Sequence, residues 1–287
     1  MTLEIIDIHP HIISTDTAKY PITPQEGHRS NWSSTRPITF EQLVAEMDEA
    51  GVAKAAIVHS STTYGHNNAY VADCVAQQPR RFTGVYSFDV AAPDALRIFD
   101  HWLARGMGGI RLFTGGATHQ GDSSWLLDPA TFPVWQRCAE IGMTMVVQTT
   151  PDGLSMVAAL AQRFPTVRIA LDHCARPNLE AGPPYEACAG LFELARHDNV
   201  YLKITPRTFD LAQKAPGGAQ PFFAKLVEVF GADHLAFGSN YPASAGPLKK
   251  LIEQGHACFA ALSEDDRAWV WGRTAKRLYP TLADAGK

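Results

Sequence analysis

Two histidines near the start of the chain carry the first hint of chemistry. The stretch Glu4-Ile5-Ile6-Asp7-Ile8-His9-Pro10-His11 is a short apolar run that ends in His-x-His, and such a run reads as a buried strand. Side chains alternate along an extended chain, so both imidazoles point to the same side. Pro10 cannot donate a ladder hydrogen bond and suits the place where a strand leaves its sheet. Two imidazoles converging at a strand end can hold a metal, move a proton or polarise a carbonyl.

Other apolar runs also end in polar residues: His59 with Ser60 and Ser61, then Asp89, Arg111, Gln148, His173 with Arg176, Lys203 and Asn240. Strands that stop in solvent end this way in any case. Histidines, two arginines and a lysine meeting at one mouth are more specific, because cations attract carboxylates and arginine offers a planar fork. Lys203 also has the chemistry of a Schiff-base lysine, but no neighbour in the sequence argues for that use.

These residues need elements to bring them together. Apolar runs at 55–59, 82–88, 109–113, 144–148, 167–173, 200–204 and 235–239 follow the opening strand, with helical patterns between them. Strands alternating with helices imply a parallel sheet. Eight such units in a chain of 287 residues fit one closed (β/α)8 TIM barrel spanning 1–287. The barrel is expected to be distorted, with a long loop at 11–37 after its first strand. An open doubly wound sheet is the runner-up, and it lacks a glycine-rich phosphate loop after strand 1. Thr39 and Gln42 form a capping box for a helix at 40–50 that stops at Gly51. Tyr20, Trp32 and Arg36 mark the long loop as a lid, and Trp32, Tyr64 and Trp125 are candidates for a substrate wall; a second irregular loop runs over 114–127.

A hydrophobic content of 46% with 19% charged residues describes a globular chain able to fill a large core. A net charge of −4 argues against nucleic acid or an anionic membrane as partner. No apolar run approaches the roughly 20 residues of a membrane span, and the N-terminus lacks a signal-peptide pattern. Five cysteines without a CxxC exclude a disulfide framework or zinc knuckle. The cytoplasm is the expected compartment.

Three segments together resemble the signature of the amidohydrolase superfamily: Ile6-Asp7-Ile8-His9-Pro10-His11, Leu171-Asp172-His173-Cys174-Ala175-Arg176-Pro177 and Phe237-Gly238-Ser239-Asn240-Tyr241-Pro242. The chain is most similar to the branch that contains 2-pyrone-4,6-dicarboxylate lactonase and related sugar lactonases, with further likeness at Phe40-Glu41-Gln42-Leu43 and Tyr64-Gly65-His66-Asn67-Asn68. The resemblance implies that His9, His11 and His173 are the catalytic histidines. It implies that Arg111, Arg176 and Lys203 hold substrate carboxylates, with Ser61, Tyr64 and Gln148 assisting.

Two positions depart from the family pattern. Asn240 stands where the superfamily carries its general-base aspartate, and Gln148 where metal-dependent members carry another histidine. An amide is a poor zinc ligand, and asparagine cannot take a proton from water. The expectation is therefore a site without cofactor, the alternative being one zinc or manganese on His9, His11 and His173. Asn240 is read as native, with the base at His173, His59 or a metal-bound hydroxide. The other readings are a chain that binds without hydrolysing, or an Asp-to-Asn variant. The function expected is hydrolysis of a small carboxylated lactone, in which the histidines polarise the carbonyl and Asn240 orients water. Its rivals are a metal-dependent decarboxylase or hydratase and a non-catalytic binder.

Overall fold

The computed structural model describes residues 3–114 and 122–283. Eight parallel strands pair in sequence order: β1 (Ile5–Asp7), β2 (Val52–Val58), β3 (Phe82–Tyr86), β4 (Met107–Phe113), β5 (Thr144–Gln148), β6 (Ile169–Leu171), β7 (Val200–Ile204) and β8 (Leu235–Phe237). Helices fill the crossovers, giving a nearly closed (β/α)8 TIM barrel. The seam between β8 and β1 is carried by the Ile8 N–H on the Phe237 carbonyl (3.1 Å) and the Ser239 N–H on Asp7 Oδ1 (2.8 Å). Gly238 permits this closure, since a Cβ there would stand 2.6 Å from His9 Cβ.

Two apolar layers position the site. One lies between sheet and helices, where Phe99, Trp135, Phe222 and Trp271 are buried. The other fills the barrel, where Ile6, Ile8, Val58, Val85 and Val146 meet Leu278, Tyr279 and Leu282 from the C-terminal segment. That plug closes one end, and polar chemistry gathers at the other, where the strands finish.

The helix Phe40–Ala50 has the expected capping box: the Gln42 N–H donates to Thr39 Oγ1, the Thr39 N–H to Gln42 Oε1, and Gly51 ends the helix in the left-handed region. Several strand limits differ from those read in the sequence: β3 and β8 stop two residues sooner, at Tyr86 and Phe237, and β4 starts two residues earlier, at Met107. β2 starts earlier, at Val52, although Ala53 is exposed. β6 stops at Leu171, and His173, Cys174, Ala175 and Arg176 all adopt φ between 50° and 57°. A left-handed turn of four non-glycine residues is costly, and it sits at the site rather than away from it. Of the second irregular loop, residues 115–121 lie outside the described residues.

Candidate active site

The strand ends enclose a cavity of about 320 Å³. His11, Arg111, Gln148, His173, Arg176 and Asn240 all line it, as does Ser61. His9 and Lys203 do not, because they lie beneath it with no exposed surface.

The buried layer is organised by a residue that strand-end reading passed over. Asp172 accepts a hydrogen bond from Arg111 Nε on Oδ2 (2.7 Å), and its Oδ1 lies 3.1 Å from Lys203 Nζ and 3.4 Å from His9 Nδ1. Burial opposes its charge, but Lys203 and Arg111 hold the carboxyl well below the ordinary range. Arg111 Nη2 also donates to Gln148 Oε1 (2.9 Å), so β4, β5, β6 and β7 are tied through a single carboxylate. The alternation of a strand put Asp172 opposite His173. The left-handed turn brings both inward, and its proximity to His173 in the chain was the available signal.

His11 is held from three directions. Its Nδ1 bonds to the Val58 carbonyl (2.8 Å), its backbone N–H donates to the Tyr241 carbonyl (2.7 Å), and Trp32 stacks on its ring at 5.1 Å. A carbonyl only accepts, so Nδ1 carries the hydrogen and Nε2 keeps a lone pair. Burial and the Arg111 charge push its pKa down to about 3, so it is neutral at ordinary pH. His173 is likewise driven well below the imidazole range by burial. Its Nδ1 lies 2.8 Å from Thr205 Oγ1. If the Thr205 hydroxyl donates there, the ring hydrogen is on Nε2. Asn240, in the left-handed region at φ 50°, gives its Nδ2 hydrogen to Ser244 Oγ (3.0 Å), which leaves Oδ1 as an acceptor.

The wall is cationic. Arg36, Arg111, Arg176 and Arg207 line the cavity, and among the described residues no carboxylate does. Arg207 was not anticipated; it lies in the first turn of the helix Pro206–Lys214, four residues beyond Lys203, where reading of the strand end stops. Arg36 belongs to the long loop and reaches the Pro242 and Ala243 carbonyls (3.3 and 3.0 Å). With Trp32 on His11, this fastens the loop over the mouth. Tyr64 lies elsewhere: it is absent from the lining, and its hydroxyl accepts the Ser14 N–H at 2.7 Å. Trp125 faces a neighbouring hollow of about 460 Å³ with Asp89 and Phe113. His59 Nε2 bonds to the Gly65 carbonyl, outside the cavity.

A family model described as amidohydrolase matches residues 6–281. The chain belongs to the amidohydrolase family. It is 29% identical over 168 residues to L-fucono-1,5-lactonase of Burkholderia ambifaria, a match spanning 55% of this chain and 57% of that enzyme's length. It is 25% identical over 247 residues to 4-sulfomuconolactone hydrolase of Rhizobium radiobacter, covering 83% of this chain and 75% of the other. The crystal structure of a Pseudomonas putida protein named putative 2-pyrone-4,6-dicarboxylic acid hydrolase superposes with a TM-score of 0.80 at 21% identity, covering 99% of this chain and 100% of that one. A Burkholderia multivorans amidohydrolase solved with bound zinc superposes at 0.75, with 21% identity and coverage of 96% and 99%. At such identities these two establish the fold alone. No described helix is long and apolar enough to cross a membrane.

The zinc-bound neighbour makes it necessary to ask whether these residues suit a metal. Among the described residues the candidate donor cluster is His9, Asp172 and His173, with atoms within 4.8 Å of one another. His11, expected as a third ligand, is not in that group. Metal ligands must offer lone pairs, and here Lys203 Nζ already stands 3.1 Å from Asp172 Oδ1; burial lowers the lysine's pKa and the neighbouring carboxylate works against that shift. An ion held by this set would stand beside the Lys203 side chain.

Proposed function

We propose that this amidohydrolase opens the ring ester of a small lactone bearing more than one anionic group, without a resident metal. One observation carries the reading: arginines with no competing carboxylate surround a cavity that His11, His173 and Asn240 also line. The lactonases among its relatives support the same reaction.

Arg176, with Arg207 and Arg36 at the rim, binds the substrate's anionic groups, and the unpartnered Ser61 hydroxyl adds a hydrogen bond. The two cavity histidines divide the work by tautomer. His173 donates from Nε2 to the ring carbonyl oxygen and stabilises the oxyanion. His11 cannot do this, since its only N–H is given to Val58. Its Nε2 lone pair and Asn240 Oδ1 instead accept the two hydrogens of one water and aim its oxygen at the carbonyl carbon. As the oxyanion forms beside it, His11 takes the water proton. It returns that proton to the ring oxygen when the C–O bond breaks. Gln148 holds Arg111, and His9 and Lys203 support the cavity from below through Asp172.

The test is turnover of carboxylated lactones and pyrones by wild type and Asn240→Asp, with chelator and with added zinc or manganese. The expected result is ring opening insensitive to chelator. An aspartate would take the water proton in place of His11, a weak base with its pKa pushed down to about 3. A well-placed general base is worth about 10²–10⁴-fold, so Asn240→Asp should raise kcat by at least about tenfold. Affinity for di- and tricarboxylates without turnover by either protein would replace hydrolysis with binding alone. Activity that appears only with metal would favour decarboxylase or hydratase chemistry.

A further inference from the structure

Beneath the cavity, His9 Nε2 has no hydrogen-bond partner among the described residues, and the polar atoms beside it, His9 Nδ1, Asp172 Oδ1 and Lys203 Nζ, reach one another at 3.1–3.4 Å. Asp172 and Lys203 have no exposed side-chain surface, and neither does His9. Orphaned buried groups call for an explanation. Lone pairs alone would indicate a missing cation. Here the lone pairs share the space with an ammonium, whose three N–H groups only donate.

We infer that Lys203 is the built-in cation of this site, standing in for a divalent metal that His9, Asp172 and His173 would otherwise bind. The inference rests on the metal-free half of the proposed function and names the residue responsible for it. The geometry is specific. Lys203 projects from β7 to within 3.1 Å of Asp172 Oδ1, the same oxygen that His9 Nδ1 approaches at 3.4 Å. Oδ2 is taken by Arg111, so Oδ1 is also the oxygen left for a metal. The rings of His9 and His173 lie with centroids 5.0 Å apart, so one ion between them would touch both and Asp172. It would then sit beside an ammonium in a medium that screens poorly, where like charges repel strongly. Lys203 supplies one positive charge without needing the histidines as ligands. Both imidazoles stay free, and the charge of Asp172 is still balanced. Three protein ligands with an open position toward the cavity is the arrangement of a catalytic zinc site, so removing the ammonium should create one.

The experiment compares wild type with Lys203→Met and Lys203→Gln. Each is stripped with chelator, then titrated with zinc by calorimetry and with cobalt by visible absorbance. Wild type is expected to take up neither metal tightly. Each variant should bind about one ion per chain, at least about a hundredfold tighter than wild type, and lose it when His173→Ala is added. Zinc should also restore thermal stability lost when Asp172 Oδ1 loses Lys203, as a ligand that binds only the folded state must. A lysine with a merely structural role predicts the same loss with no zinc rescue.

Stoichiometric zinc in wild type, removable by chelator, would overturn both this inference and the metal-free reading. Metal-free wild type with folded variants that bind zinc no better would overturn this inference alone. So would variants that stay unfolded with zinc present, because zinc is expected to replace the missing charge.

Discussion

The two halves of the site treat charge in opposite ways. Below the cavity, Asp172 meets Arg111 and Lys203 at hydrogen-bonding range, and every member of the group is buried. On the cavity wall, Arg36, Arg176 and Arg207 face a space with no lining carboxylate. The lower layer pairs its carboxylate with its own cations and is part of what holds the barrel together. The upper layer is left positive, an arrangement suited to an anion that arrives from outside. The comparison teaches which residues should act on stability and which on affinity.

The largest effect is expected in the lower layer. Asp172→Asn removes the carboxylate that pairs directly with two buried cations, and breaking such a group costs about 3–5 kcal/mol. Denaturant unfolding should show the loss. In the double variant with Lys203→Met the two costs should not add, since the second change removes one of the stranded cations. Simple additivity would separate these residues and dissolve the lower layer as a unit.

Acid should act next, through two buried histidines outside that layer. Burial pushes the pKa of His11 down to about 3 and of His59 to about 4, against about 6.5 in the unfolded chain. The unfolded state therefore binds more protons below pH 6.5. Stability is fully present above that value and falls as pH drops toward the folded values. At pH 4.5 each of these histidines should have cost about 2–3 kcal/mol. Thermal melts from pH 8 to pH 4 test this, and a flat profile from pH 6.5 to pH 4.5 would contradict it.

On the wall the expected sign changes. Arg176→Met should raise KM for an anionic lactone by about 10–100-fold, the worth of one charge-assisted hydrogen bond. Arg207, which is exposed, should matter less. Neither change should lower the melting temperature, because no carboxylate is left unpaired. A loss of stability with unchanged KM would move these arginines into the lower layer.

Much of this was legible in the sequence because alternation is a physical signal. Eight apolar runs gave eight strands, and His9, His11, Arg111, Gln148, Lys203 and Asn240 stand at their ends. Asp172 and Arg207 were not legible for two different reasons. The turn after Leu171 is left-handed over non-glycine residues, and no periodicity announces that. Arg207 belongs to a helix start beyond its strand, reached through Thr205 and Pro206. The tautomer of His11 was hidden for a third reason: it depends on the Val58 carbonyl, 47 residues away.

The smallest effect is the sharpest test of the division. Ser61 and Tyr64 open and close one short helix, Ser61–Tyr64, and both look like substrate contacts in the sequence. In the structure Ser61 lines the cavity and its buried hydroxyl has no hydrogen-bond partner among the described residues, while the Tyr64 hydroxyl is occupied by the Ser14 N–H. Tyr64→Phe should therefore cost about 1 kcal/mol of stability, the net worth of a typical hydrogen bond, and leave KM unchanged. Ser61→Ala should do the reverse, raising KM several-fold while the melting temperature holds, since no internal bond is lost. If Tyr64→Phe raises KM and spares stability, its hydroxyl serves the substrate. The boundary between the structural and binding layers would then lie one helical turn further from the cavity than the hydrogen bonds place it.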